Sequence, residues 1–219
     1  MAFLIASPWN SLSLTVILIA LIGFKWTALF IVCSMLIGII SGLIFNLLVK
    51  NGTLPANPNT IEVHNFKVWS EAKKRLADTK FSMQWWASMC WEGLKDSRMI
   101  VRWLLLGVLL AAAIRTFVPL DSFQTYFGAT LAGLGMTLVV ATILEICSEG
   151  STPIAADLVT RAQAPGNGFA FLMTGVATDY TEIMSLRETT GSWKIALFLP
   201  LITVPQVVLL SWVMNLAGG

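Results

Sequence analysis

Apolar and polar residues alternate along the chain in long blocks. Six apolar runs approach the roughly 20 residues that a helix needs to cross the hydrocarbon core of a bilayer. They cover about residues 2–22, 27–49, 99–118, 126–146, 169–185 and 195–216. This pattern predicts an all-α integral membrane protein with about six transmembrane helices, some of them broken or re-entrant.

Two of the runs are interrupted by polar residues. The first contains the segment Ser7–Ser11, in which Pro8 removes a helical hydrogen bond. The fifth run is apolar only in its first half, and residues 174–182 are largely polar. Serine, threonine and asparagine side chains can satisfy the backbone groups that such interruptions free. We therefore predict a broken helix at each position.

A third polar segment, Glu145–Asp157, follows the run 126–146. It contains three acids, a thiol, three small hydroxyl residues, a glycine and a proline. Unpaired charges and open backbone groups each cost several kcal/mol in lipid. The segment therefore predicts a polar cavity, and ionisable residues inside a membrane indicate a functional site. A short polar loop at the membrane surface is the alternative.

The overall composition narrows the class of protein. Only 12% of the residues are charged, against about 25% in soluble domains. A dispersed net charge of +2 argues against a nucleic-acid partner. The three cysteines, Cys33, Cys90 and Cys147, form no disulfide or metal-binding pattern, and nothing around the single His64 completes a metal site. We predict no cofactor and no metal.

Residues 50–97 separate two hydrophobic parts of the chain, a helix pair over 1–49 and a larger unit over 98–219. Residues 50–102 carry nine of the fourteen basic residues and five of the twelve acids. This excess predicts that the connection is cytoplasmic and that the protein lies in the inner (plasma) membrane. Lysines and tryptophans alternating over Phe66–Trp91 predict an amphipathic helix in the membrane interface.

A weak internal repeat relates the two ends of the chain at a constant offset of 168 residues. Ala2-Phe-Leu-Ile aligns with Ala170-Phe-Leu-Met, and Gly23 aligns with Gly191. Repeats with broken helices are typical of secondary transporters. The sequence leaves open whether the copies are parallel or inverted. Spans precede the second copy but not the first, which predicts either an incomplete chain or a second polypeptide or homo-oligomer that completes the fold.

Three motifs resemble a known family. They are Cys147-Ser-Glu-Gly-Ser-Thr-Pro153, Gly168-Phe-Ala-Phe-Leu, and Ala2-Phe-Leu-Ile-Ala-Ser-Pro8-Trp-Asn10. The chain resembles the predicted permease family that includes organoarsenical efflux permeases, whose members are longer and carry two cysteine motifs. In this family resemblance, Glu149 stands where a second cysteine is expected and Asp179 where an asparagine-like residue is expected. The resemblance implies a permease but not an arsenic substrate, since one thiol beside carboxylates suits a soft arsenical poorly.

The candidate residues for binding a solute or ion are polar or lie in the polar breaks. They are Cys147, Glu149, Ser151, Thr152, Pro153, Thr174, Thr178, Asp179, Glu182 and Asn10. Structural alternatives exist for several of them: the hydroxyls bond to helix carbonyls, Cys147 is a small buried apolar residue, and Glu182 pairs with a nearby arginine. Asp157 is interpreted as a residue that caps a helix or pairs with a cation at the cytoplasmic surface.

These observations favour a membrane permease that moves a small solute or ion through a central polar site built from residues 147–157 and 174–182. A membrane subunit that only supports a partner is a second hypothesis. An intramembrane enzyme that uses the acids for proton transfer is a third. It is disfavoured because the apolar runs contain no histidine, metal-ligand set or nucleophile–base pair.

Overall fold

The computed structural model describes residues 2–7, 9, 11–55, 69, 73, 83–144 and 147–218, and no strand occurs among them. The helices are α1 (Ala2–Ala6), α2 (Leu12–Lys50), α3 (Met83–Phe117), α4 (Leu120–Phe127), α5 (Leu131–Leu144), α6 (Ser148–Thr160), α7 (Pro165–Thr178), α8 (Tyr180–Thr190) and α9 (Trp193–Gly218). The chain is therefore all-α, as the sequence predicts.

Three helices, α2, α3 and α9, each contain a stretch that is long and apolar enough to cross a membrane. The pair α4 and α5 gives a fourth candidate span, bent by 94° at the break between the two helices. These helices confirm an all-α membrane protein. The predicted run 169–185 corresponds to two shorter helices, α7 and α8, which meet at Asp179.

Helix α2 is a hairpin of two segments and not one straight rod. Within it, Gly23 has non-helical backbone angles, with φ +82° and ψ 167°. Farther along, a side chain at Gly38 would lie 3.4 Å from the Ala6 Cβ atom. In a straight helix, Gly38 would be about 39 Å from residue 12. The five residues that join Ala6 to residue 12 span at most about 17 Å, so Ala6 could not reach Gly38. The chain must therefore fold back at Gly23, and we call the two segments α2a (12–22) and α2b (24–50).

The internal repeat is visible in the backbone. Ser11 caps the N-terminus of α2a, and Asp179, its counterpart at an offset of 168, caps the N-terminus of α8. The breaks that follow also correspond, because Gly23 and Gly191 both have positive φ. Consequently α2a matches α8 in length and α2b matches α9. The structure thus supports the repeat that the sequence predicts.

The two copies of the repeat have opposite directions. Gln206 of α9 donates a hydrogen bond to Ser41 of α2b at 2.9 Å, and the Gly218 backbone approaches the Trp26 ring. Contacts that advance along α2b therefore move backwards along α9, so these equivalent helices are antiparallel. A two-fold axis that relates two antiparallel helices is perpendicular to both of them. This arrangement is an inverted repeat, as in many secondary transporters.

Helices α6 and α7 form a hairpin at the centre of the molecule. Residues 150–159 of α6 and 165–174 of α7 are all buried. Small side chains bring the two backbones together: a side chain at Gly168 would collide with Val159. Helix α6 packs against α3 and α2, while α7 packs against α5 and α9. At 13 and 14 residues, each is shorter than the roughly 20 residues of a full span.

Local features of α3, α6 and α7 complete the fold. Helix α7 begins at Pro165, which occupies the first helical turn, where its missing N–H costs nothing. Helix α6 begins at Ser148 and accommodates Pro153. Met83–Phe117 is one continuous helix, so the predicted boundary at residue 97 lies within it. Most of the predicted interfacial helix, from Phe66 to residue 82, lies outside the described residues apart from 69 and 73.

Candidate functional site

A cavity of about 170 Å³ opens where the start of α6 meets the end of α7. It is lined by Cys147, Ser148, Ser151, Leu172, Gly175, Val176, Asp179 and Glu182. The cavity has room for several water molecules, since each occupies about 30 Å³ in the liquid. Four of the ten predicted site residues therefore line the same cavity: Cys147, Ser151, Asp179 and Glu182.

Helix termini supply most of the polar groups in this cavity. Cys147 is the residue before α6, and Ser148 and Ser151 belong to its first turn. The first backbone N–H groups of a helix have no partner within the helix, so this end of α6 is polar. The Ser151 hydroxyl donates to the Cys147 carbonyl at 3.0 Å. The N-terminus of α6 and the hydroxyls of Ser148 and Ser151 therefore lie beside the Cys147 thiol.

Asp179 occupies the break between α7 and α8. Its φ of −56° and ψ of 124° are not helical, and its Oδ1 atom accepts hydrogen bonds from the Thr181 backbone nitrogen at 2.7 Å and the Thr181 hydroxyl at 2.6 Å. The carboxylate therefore caps α8. The Oδ1 atom of Asp179 is thus used to cap the helix, and the same residue also lines the cavity.

Among the described residues, the lining carries two acids, Asp179 and Glu182, and no basic residue. Asp179 caps α8 and Glu182 lies three residues later in its first turn, so both face the same space. Arg187, the arginine nearest in sequence, stacks over the Trp193 ring at 4.4 Å instead. Arg161 lies within 3.7 Å of Asp157. Both of these arginines therefore contact other groups, and the described lining of the cavity carries negative charge.

The depth of the cavity follows from the packing of α6 on α3. Gly107 approaches Gly150 so closely that a side chain at Gly107 would clash with the Gly150 carbonyl, and Arg115 pairs with Asp157. Contacts advance together along both helices, which are therefore parallel. Gly107 is about 15 Å from Phe117, the last residue of α3. The start of α6 therefore lies about half of the roughly 30 Å thickness of a hydrocarbon core away from that end of α3.

Five other predicted site residues lie outside this cavity wall. Glu149 is partly buried and accepts a hydrogen bond from the Ser148 hydroxyl at 3.0 Å. Thr152 is buried and donates to the Ser148 carbonyl, while Thr178 bonds to the Thr174 carbonyl and to Thr142.

Pro153 lines a different groove, between α2, α3 and α6. Thr174 is 1% exposed, and its hydroxyl oxygen has no hydrogen-bond partner among the described residues. The last predicted site residue, Asn10, lies outside the described residues, as does Glu145.

The tertiary structure adds residues that sequence reasoning missed. Ser148, Leu172, Gly175 and Val176 complete the cavity wall, and Gly175 exposes backbone where a side chain would fill space. Ser148 belongs to the polar motif and could have been found from it. Leu172 and Val176 carry no distinguishing signal, because they are ordinary apolar residues of a buried helix. In the described chain, no cluster of three His, Cys, Asp or Glu residues could hold a metal ion.

Inverted repeats with broken helices, and a polar cavity where broken helices meet, are typical of secondary transport proteins. The comparison with protein families agrees with this class. A family model described as a predicted permease matches residues 1–216, and the chain belongs to this predicted permease family. No curated protein and no solved structure matches the chain significantly. Membership of a permease family indicates a transporter rather than an enzyme.

Proposed function

We propose that this permease moves a small cation, either an inorganic ion or a cationic solute, through the cavity between α6 and α7. Asp179 and Glu182 bind the cation and Cys147, Ser148 and Ser151 complete its surroundings. The observation that carries the proposal is the pair of carboxylates in a cavity whose described lining has no basic residue. An ion pathway is the usual reason for acids at membrane depth.

The charge of the cavity selects the sign of its solute. An anion in this space would face two carboxylates in a medium of low dielectric constant, where like charges repel far more strongly than in water. A cation would instead replace its hydration shell with carboxylate and hydroxyl oxygens. Oxygen ligands favour hard cations and ammonium-like groups over soft metals. The single thiol of Cys147 adds one soft atom to an otherwise hard set.

The break between α7 and α8 allows the positions of the site residues to change. The cavity lies at Asp179, where α7 ends and α8 begins with non-helical backbone angles, so a small rotation there alters the positions of Asp179 and Glu182. Protonation of either acid would lower the affinity for a cation, and protons are therefore a suitable coupling ion. Alternating access in inverted-repeat transporters arises from rocking of one repeat against the other around a fixed site.

The test is cation-driven charge movement by the purified protein in proteoliposomes adsorbed on a solid-supported membrane. Concentration jumps of a panel of small cations are compared with jumps of anions of similar size. We expect Asp179→Asn and Glu182→Gln each to weaken the response about tenfold or more, because hydrogen bonds to charged groups contribute about 1.5–3 kcal/mol. Asparagine still caps α8, so Asp179→Asn removes the charge and keeps the helix start.

Glu188→Gln is the matched control, since Glu188 is an exposed acid on the same helix and is absent from the cavity lining. Glu149→Gln decides whether the partly buried Glu149 also belongs to the site. Unchanged cation responses in both Asp179→Asn and Glu182→Gln would refute the proposal, as would a response to anions alone.

We also propose that the 50–97 connection faces the cytoplasm of an inner (plasma) membrane. Its support is the excess of basic residues in and beside this connection. Cys90 is exposed in this region and provides the test. In a variant whose only cysteine is Cys90, a membrane-impermeant maleimide should label inside-out vesicles and spare right-side-out vesicles. The reverse labelling pattern would contradict this orientation.

A further inference from the structure

A second space, separate from the cavity, is an apolar groove of about 480 Å³ between α2a, α3 and α6. Val16 and Leu21 form one wall, Leu104 and Ala112 the other, and Pro153 lies on its floor. We call it the α2–α3 groove. Among the described residues that line it, Arg115 alone is charged. Val16 is 57% exposed, so the groove opens on the surface that faces the bilayer.

The length of the groove corresponds to one leaflet. Leu104 and Arg115 are eleven residues apart on α3, which is about 16 Å along a helix. This is about half of the 30 Å hydrocarbon core. Arg115 stands two residues before Phe117, the end of a candidate membrane-spanning helix, at the level where lipid headgroups lie. The groove thus begins at headgroup depth and ends near the midplane.

The charge at the headgroup end is positive. Arg115 and Arg161 share one carboxylate, that of Asp157, so these three residues carry a net charge of +1. Arg115 donates from Nε and Nη2 to this carboxylate, and its side chain is still 59% exposed. Part of the guanidinium group therefore faces the groove, and guanidinium groups bind phosphate well.

We propose that the α2–α3 groove binds one acyl chain of an anionic phospholipid, whose phosphate is held by Arg115. The bilayer already solvates acyl chains. The apolar walls of the groove therefore select an acyl chain by its shape, and Arg115 selects the headgroup by its charge. A bound lipid would contact Pro153 on α6, the helix whose first turn lines the cavity. The inference concerns lipid binding only and does not depend on the solute that the cavity takes.

The test is native mass spectrometry of the protein released from nanodiscs made of equal amounts of phosphatidylglycerol and phosphatidylethanolamine. We expect one retained phosphatidylglycerol, favoured about fivefold, the factor for one positive charge near a membrane surface. Ala112→Trp fills the groove from an exposed position and should abolish this preference. Leu109→Trp, at a 66% exposed position of α3 outside the groove, is the matched control and should keep it.

Ala20→Trp fills the groove from the opposite wall and provides a second variant if Ala112→Trp fails to fold. Equal retention of the two lipids by the native protein would overturn the proposal, because Arg115 would then select nothing. An unchanged preference in a folded groove-filling variant would overturn it as well, since the lipid would then lie elsewhere.

Discussion

Arg115 of α3 holds Asp157 of α6 through two nitrogen atoms, with Nε at 3.0 Å from both carboxylate oxygens and Nη2 at 2.5 Å from one of them. Asp157 is 1% exposed, so this pair neutralises a charge that the interior could not otherwise hold. The residues are 42 positions apart in the sequence. The pair anchors the outer end of the buried α6–α7 hairpin, and it therefore fixes the position of the helix that begins at the cavity.

Loss of Arg115 should destabilise the protein strongly. In Arg115→Gln the buried carboxylate keeps only the longer contact to Arg161, and leaving a buried charge without its partner costs about 3 kcal/mol or more. Reversible denaturation in mixed micelles measures this cost. Arg98→Gln, at an exposed position of the same helix, should change stability by less than about 0.5 kcal/mol. Equal effects of the two substitutions would mean that the pair contributes nothing.

Two glycines of α3 should respond to alanine in opposite directions. A side chain at Gly107 would clash with the Gly150 carbonyl of α6, whereas Gly93 has no atom within 4 Å. Gly107→Ala should therefore destabilise the protein by about 1–3 kcal/mol through overpacking. Gly93→Ala should stabilise it by about 0.5–1 kcal/mol, because alanine favours a helix. The same denaturation measurement serves both, and a stabilising Gly107→Ala would contradict the close crossing of α3 and α6.

The inverted repeat predicts which cysteine pairs can be cross-linked. In a variant lacking the native cysteines, Trp26→Cys with Gly218→Cys should react with a bismaleimide of about 10 Å, since these positions are in contact. Trp26→Cys with Lys194→Cys should not, because residue 194 is about 36 Å away from residue 218 along α9. Intact mass identifies the intramolecular link. Parallel repeats would give the opposite result, with residue 194 beside its counterpart 26.

The native thiols should differ in reactivity. Cys33 is 7% exposed in the core, while Cys147 is partly exposed in the cavity wall. In single-cysteine variants, N-ethylmaleimide should modify Cys147 and leave Cys33 unmodified on the same time scale, as read by intact mass. Modification of Cys147 should also reduce the cation response, because the adduct occupies the cavity. Full activity after complete modification would show that the solute does not pass this thiol.

Part of this architecture is encoded locally. The apolar runs predict membrane helices because their length matches the bilayer. The breaks are predicted at the right places because the capping residues Ser11 and Asp179 act on the backbone beside them. Gly23 and Gly191 turn the chain because glycine accepts positive φ at no steric cost. Each of these features depends on a residue and its near neighbours, so the sequence by itself determined them.

Only the tertiary structure decided how the pieces face one another. The antiparallel direction of α2b and α9 depends on contacts such as Gln206 with Ser41, 165 residues apart. The same holds for the Arg115–Asp157 pair, and for the position of Glu149 outside the cavity wall that Asp179 and Glu182 share. Periodicity and composition are silent about such partners, because the packing of distant helices determines which faces meet.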